Sequence, residues 1–423
     1  MTAATYEATK EYAESLDRED SLFLYRERFH IPQKDGEPVI YLCGHSLGLQ
    51  PKSTSYLMQL ELDDWAKHGV EGHWKARNPW ASYQQLFTTR LSKMVGAQPT
   101  EVVAAHSLSV NLHLLMMSFY RPTKQRYKII MENGAFSSDQ YAIETQVILH
   151  GFLPSDAIIE VAPRKDEHTI QEEDLLLAIE TAGDSLALVL LGGVNYYTGQ
   201  FFNLKKVTTA AHQVGALAGF DLAHAIGNVP LQLHDWDVDF ACWCSYKYLN
   251  SVPGGVGGIF VHDKHITHPD TFRLGGWWGT NESTRFNMPK GYVPDSSAAS
   301  WQLSSPSILN MVAHHASLDI FDKVGMVALR EKSIRMTAYL EFLLKKIKHL
   351  PFRIITPSNP ESRGNQLSLW FSDNGKAVFE ALLAEGVIVD WREPNVIRMA
   401  PAPLYNSFED LFRLYDILNK WRF

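Results

Sequence analysis

Short, mostly apolar runs separated by longer stretches of helical periodicity fill the middle of the chain. Residues 127–131, 157–161, 186–191, 216–220 and 238–244 each read as a buried strand, and the segments between them repeat apolar residues at three- and four-residue spacing. That alternation predicts βαβ units and a mainly parallel sheet flanked by helices. Before it, residues 1–70 show helical periodicity broken by a glycine-rich turn at 43–48, as in an arm followed by a linking helix. After it, 308–349 read as one or two long helices, and 352–356, 366–371, 387–390 and 396–399 as strands with helices between and after them. The expected division is an arm and linking helix over 1–70 that packs with the smaller domain, a large α/β domain over 71–310, and a smaller α+β domain over 311–423.

Composition changes this picture little. The chain has 423 residues, 45% of them hydrophobic, and a formal net charge of −8, which supports a large core and more than one domain. An acidic balance, with its longest basic cluster at the helix end 343–349, argues against nucleic acid or a membrane surface as a partner. No apolar run approaches the roughly 18 residues of a membrane span. The start, Met1-Thr-Ala-Ala-Thr-Tyr6, is polar rather than signal-like. Cys43, Cys242 and Cys244 are the three cysteines, the last two flanking Trp243 on one face of a strand. Their spacing does not suit zinc, so they read as reduced core thiols of a cytoplasmic protein.

Candidate chemistry centres on Lys247, which follows the apolar run 238–244 and precedes the glycine-rich 253–258. Desolvation and neighbouring cations turn a lysine amine into a nucleophile able to condense with an aldehyde cofactor. Pyridoxal phosphate is the candidate. Upstream, the run 216–220 ends in Asp221, at what reads as the carboxyl end of a parallel strand, the edge where open α/β sheets bind ligands. A carboxylate there either caps the next turn or keeps a pyridine nitrogen protonated; its pairing with Lys247 favours the second. Ser107 to Ser109 open an apolar helix, which is either an ordinary N-cap or an anion site. Neither 191–194 nor 254–258 fits a dinucleotide fingerprint, since Phe260 stands at the last glycine position of the pattern.

These residues carry a resemblance across nearly the whole chain. Tyr41-Leu-Cys-Gly-His-Ser46-Leu-Gly, Leu108-Ser109-Val-Asn, Phe136-Ser-Ser-Asp139, Tyr197-Thr-Gly-Gln200, Phe220-Asp-Leu-Ala-His224, His234-Asp-Trp, Ser245-Tyr-Lys247-Tyr and Ile397-Arg398-Met-Ala-Pro resemble kynureninases, fold type I pyridoxal phosphate enzymes of the aminotransferase class V group. The resemblance implies a seven-stranded, mainly parallel sheet plus a smaller α+β domain, and hydrolysis of kynurenine or 3-hydroxykynurenine to an anthranilate and L-alanine in tryptophan catabolism or NAD synthesis. It implies catalytic roles for Lys247, Tyr246 and Asp221. Leu108, Ser109, Phe136, Ser137, Ser138, Asp139 and His224 would join them around the cofactor, with Trp277 and Ser305 reaching the active site of a second subunit in a homodimer. Ser46, His73, Ser304, Ser305 and Arg398 would bind substrate, Arg398 through its planar fork on the α-carboxylate. The sequence departs from the family at Gly192, where relatives often have a phosphate-contacting serine, at Ser109, where threonine is commoner, and at Ser305, where asparagine is usual.

Two other readings are weighed against this one. A metal hydrolase could draw on Asp221, His224 and His234, but their spacing lacks the helical His-x-x-x-His geometry of a zinc site, and no metal is expected. A cysteine desulfurase shares the fold type, but it needs a mobile cysteine in the carboxyl-terminal half, and all three cysteines lie before residue 245.

Overall fold

The computed structural model describes residues 6–422; most of the polar start lies outside them. Among the described residues a seven-stranded sheet is formed by β1 (Val102–Ala105), β2 (Lys128–Glu132), β3 (Ile158–Val161), β4 (Leu186–Gly192), β5 (Leu217–Asp221), β6 (Phe240–Cys244) and β7 (Gly257–Val261). Its order is β1-β7-β6-β5-β4-β2-β3. All neighbours run parallel except β7, which is antiparallel to both β1 and β6. Strand β4 is buried along nearly its whole length, as a parallel strand covered by helices on both faces must be. One sheet face packs against the helices Leu108–Phe119 and Ser137–Leu149. The other packs against helices that include Gln85–Val95, Leu204–Gln213 and Ile308–Val324.

Five of these strands sit where the apolar runs predict them, and two do not. β1 is a four-residue Val-Val-Ala-Ala stretch, half of it alanine, which has low strand preference. β7 reads as a glycine loop because Gly258 sits in register with Trp243, where a Cβ would lie 2.3 Å from the buried indole. The missing side chain is the space that the indole occupies.

A second, antiparallel sheet is built from β8 (Phe352–Ile354), β9 (Leu367–Phe371), β10 (Asp390–Arg392) and β11 (Val396–Met399), in the order β8-β9-β11-β10. Its core takes Met336, Leu340 and Leu344 from the helix Met326–Lys346, Leu411 and Leu414 from Phe408–Lys420, and Ala13 and Leu16 from the arm helix Lys10–Arg18. The expected strand at 387–390 serves two partners instead of one. Val387–Ile388 pairs with Ile40–Tyr41 of the arm, and Asp390 begins β10 opposite Arg398. Helix Ser53–His68 packs along Ile308–Val324, whose Met311, Val312, Leu318 and Phe321 belong to the core of the large sheet. The core of the large sheet thus takes residues as far along as Leu329, and that of the smaller sheet takes the same helix from Met336 onward.

Candidate active site

The carboxyl ends of β1, β2, β4, β5 and β6 and the start of β7 meet at one edge, where a cavity of about 370 Å³ opens. This is the edge at which parallel sheets present ligand sites. Each strand end delivers something different. β1 leads through His106 into the helix Leu108–Phe119. His106 holds φ at +39°, costly for a residue with a side chain. It is fixed there because its carbonyl accepts the Gly257 N–H at 2.6 Å and its Nε2 accepts the Leu303 N–H at 3.2 Å. The kink aims the helix start at the cavity, so Ser107, Leu108 and Ser109 line it. The N-cap Ser107 makes no side-chain cap bond, so the first-turn N–H groups and the helix dipole can receive an anion.

Asp221 ends β5, buried, with one carboxylate oxygen accepting the Ala223 N–H at 2.7 Å. Asp139, also buried, faces it. Burial pushes Asp139 well up, and the negative charges of Asp221 and Glu132 add to the effect. Burial raises Asp221 as well, but the Lys247 cation opposes that rise. A proton shared by the pair therefore resides on Asp139, and Asp221 carries the charge. Lys247, two residues beyond Ser245, places its Nζ 5.7 Å from the centre of the Phe136 ring, within cation–π reach. Burial also raises Tyr246, so its phenol stays protonated. Buried His224 is held well below the ordinary histidine value by desolvation and by Lys247 and Arg398, and its Nδ1 has no hydrogen-bond partner.

The floor on the other side comes from the smaller sheet. Arg398 is buried and lies between apolar neighbours on β11, and it is paired with a protein carboxylate. Its Nε donates to Asp390 Oδ2 at 2.7 Å, its Nη2 donates to the same oxygen, and its Nη1 donates to the Tyr196 carbonyl at 2.7 Å. Nη2 also reaches Ser46 Oγ at 3.4 Å. Ser46, Phe136, Ser138, Asp139, Asp221, His224, Tyr246, Lys247 and Arg398 thus share the cavity with the helix start. Ser137 is exposed at the first position of its helix and is not among the lining residues.

Four residues named from sequence lie elsewhere. Ser304 and Ser305 line a neighbouring recess that shares Ser107 and Gly254 with the main cavity. His73 and Trp277 belong to an aromatic group on the surface: His73 to Trp74 at 5.7 Å, Trp74 to Phe286 at 6.0 Å, Phe286 to Trp277 at 5.7 Å between ring centres. Conversely, His45, Glu132, Tyr196 and Arg392 line the cavity unannounced, and Asp390 backs it. Burial pushes Glu132 up to about 7, and its two oxygens accept the Gly192 N–H at 3.1 and 3.2 Å. A Cβ at 192 would lie 2.9 Å from Glu132 Oε1, so a serine there would require the Glu132 side chain to shift.

A family model described as the kynureninase C-terminal domain matches residues 329–418. Proteins named kynureninase from Flavobacterium johnsoniae and Myxococcus xanthus are each 51% identical, over 98% and 99% of this chain and 99% and 98% of the relatives. One from Nematostella vectensis is 46% identical over 97% of this chain and 93% of its own length. The chain belongs to the kynureninase family. Among solved structures, a cysteine desulfurase from Escherichia coli superposes with TM-score 0.75 at 16% identity, covering 94% of this chain and 97% of that one. C-DES, with glycine covalently linked to its PLP cofactor, gives 0.77 at 14%, covering 91% and 97%. At that identity the likeness speaks for the fold alone, and the fold is the α/β architecture of those enzymes.

Membership in the kynureninase family agrees with the thiol chemistry. Burial pushes Cys43 up to about 11 and raises Cys242 and Cys244 too, so none of the three is a thiolate nucleophile near neutral pH. The zinc trio also comes apart. His234 lies at the opposite end of the sheet, its Nδ1 2.9 Å from Glu101 Oε1 just before β1, while Asp221 and His224 face the cavity.

Proposed function

We propose that this chain is a pyridoxal phosphate-dependent hydrolase that cleaves L-kynurenine or 3-hydroxy-L-kynurenine into an anthranilate and L-alanine. The observation that carries the reading is the convergence, at one sheet edge, of Lys247, Asp221 and a helix start with Arg398 across the cavity. The residues fit the cofactor. The first turn at Leu108 and Ser109 suits its phosphate, Phe136 offers a ring face, and the charged Asp221 suits a protonated pyridine nitrogen. His224 keeps an unpartnered buried nitrogen beside that place. Bound there, pyridoxal phosphate supplies an aldehyde for the substrate amine and an electron sink for the α-carbon.

The chain's own groups do the rest. Arg398 and Ser46 hold the α-carboxylate and so fix which bond faces Lys247. The Lys247 amine takes the α proton and returns it. The protonated Tyr246 phenol is placed to pass protons beside it. Water adds to the side-chain carbonyl, the bond between the β and γ carbons breaks, and the carboxyl-bearing aryl product and alanine leave. The enclosing smaller sheet limits the access of further water.

We also propose a homodimer in which Trp277 and Ser305 serve the partner's site and His73 and Ser304 help to form the ring pocket. Support comes from the surface group of His73, Trp74, Trp277 and Phe286, where Trp74 is 59% exposed, an apolar patch of the kind that subunits cover. No described helix is long and apolar enough to cross a membrane; we place the enzyme in the cytoplasm.

Parallel steady-state assays on kynurenine and 3-hydroxykynurenine test the reaction. Both are expected to turn over, with the hydroxylated substrate ahead by less than roughly two powers of ten, since one hydrogen bond contributes only about 0.5–1.5 kcal/mol net. Ser305→Asn is expected to move the ratio further toward 3-hydroxykynurenine. An unmoved ratio removes Ser305 from ring recognition, and absence of turnover on both substrates overturns the functional reading.

Arg398→Lys keeps the charge but cannot hold Asp390, the Tyr196 carbonyl and a carboxylate together. Its kcat/KM is expected to fall by the equivalent of about 2–4 kcal/mol. Unchanged efficiency would show that the substrate carboxylate binds elsewhere.

A further inference from the structure

His45 is a polar side chain with no present use. It is fully buried, it lines the cavity, and neither of its ring nitrogens has a hydrogen-bond partner. Asp390 Oδ2 lies 3.8 Å from its Nε2, beyond hydrogen-bond length. That aspartate oxygen is already occupied by Nε and Nη2 of Arg398 and by Nε of Arg392 at 2.9 Å. Burying an imidazole with both nitrogens unsatisfied is unfavourable, and because this one also lines the cavity, a ligand bound there can supply the missing partner.

The surroundings say which ligand. Ser46, the next residue, reaches Arg398 Nη2, so the 43–48 turn packs its polar atoms against the arginine fork. Desolvation, reinforced by the Arg398 and Lys247 cations and only partly opposed by Asp390, holds His45 down to about 4. The ring is therefore neutral near pH 7 and offers one N–H donor and one lone pair. A neutral donor can sit beside Arg398 without charge repulsion and add a bond to an anion held there. Building on the amino-acid substrate proposed above, we infer that His45 is a substrate-binding residue that donates its ring N–H to the α-carboxylate on Arg398, alongside Ser46.

His45→Leu removes the polar atoms at similar volume, and His45→Asn restores a donor. For the Leu variant, KM for kynurenine is expected to rise about tenfold with kcat within threefold, because the contact serves ground state and transition state alike. The inhibition constant of L-alanine, which shares only the α-amino acid end, is expected to rise by the same factor. The Asn variant is expected to stay within threefold of wild type on both measures. A Leu variant with unchanged KM, one that loses kcat at constant KM, or an Asn variant as weak as Leu would each overturn the inference. If the Leu chain proves unfolded by circular dichroism, His45→Ala replaces it under the same criteria. A wild-type enzyme inert toward kynurenine would instead overturn the reaction assignment, so the two failures are separable.

Discussion

Lys247→Ala is expected to abolish turnover, to below a thousandth of the wild-type kcat, while the folded protein survives. The amine lies over the Phe136 ring in the cavity, and on the proposed reading no neighbouring group takes over its role. Tyr246 is held protonated by burial, and desolvation with the Lys247 and Arg398 cations keeps His224 a weak base. Wild-type protein loaded with pyridoxal phosphate is expected to be yellow, and borohydride reduction followed by peptide mapping is expected to find the pyridoxyl group on Lys247. A label on another lysine would sink the assignment. The Ala variant is expected to retain some cofactor through the helix start at Leu108 and Ser109, measured as phosphate-dependent quenching of protein fluorescence.

Asp221→Ala is the second large effect, and it is expected to remove both activity and cofactor retention. Asp221 is the charged member of a buried carboxyl pair; deleting it leaves Asp139, which burial holds in the protonated form, facing the cofactor nitrogen. A neutral carboxyl cannot offset a pyridinium, so the ring loses its charge and its electron demand. The expected result is at least a hundredfold weaker cofactor affinity by equilibrium dialysis, with kcat lowered by a thousandfold or more. Retention at wild-type affinity would mean that Asp139 or Glu132 holds the nitrogen.

Much of this architecture is legible in the residues, and the illegible parts have identifiable causes. β2, β4, β5 and β6 announce themselves because strands covered on both faces are largely apolar, and the edge strand β3 through its Ile158-Ile159 pair. β7 does not, because its glycines make way for Trp243. Lys247, Asp221 and Arg398 are recognisable since each is an ionic residue at the end or in the middle of an apolar run. His45, Glu132 and Asp390 give no such signal. Glu132 reads as the polar end of a strand, and His45 sits in a glycine-rich turn where a surface position is the ordinary reading. Asp390 falls in a run that the chain splits between two sheets. The importance of His45 and Glu132 depends on Asp390 and Gly192, which fold against them from far along the chain, and periodicity carries no such information.

The arginine fork hangs from the smaller sheet and is tied by Nη1 to the backbone of Tyr196, while the lysine hangs from the larger. On the reading proposed above, the carboxylate and the α-carbon of a bound amino acid would be held from separate sheets. Any repacking that tilts one sheet against the other, however harmless to stability, would then shift the α-carbon relative to the lysine, so drift in the seam between the cores would show first as lost turnover with the fold intact.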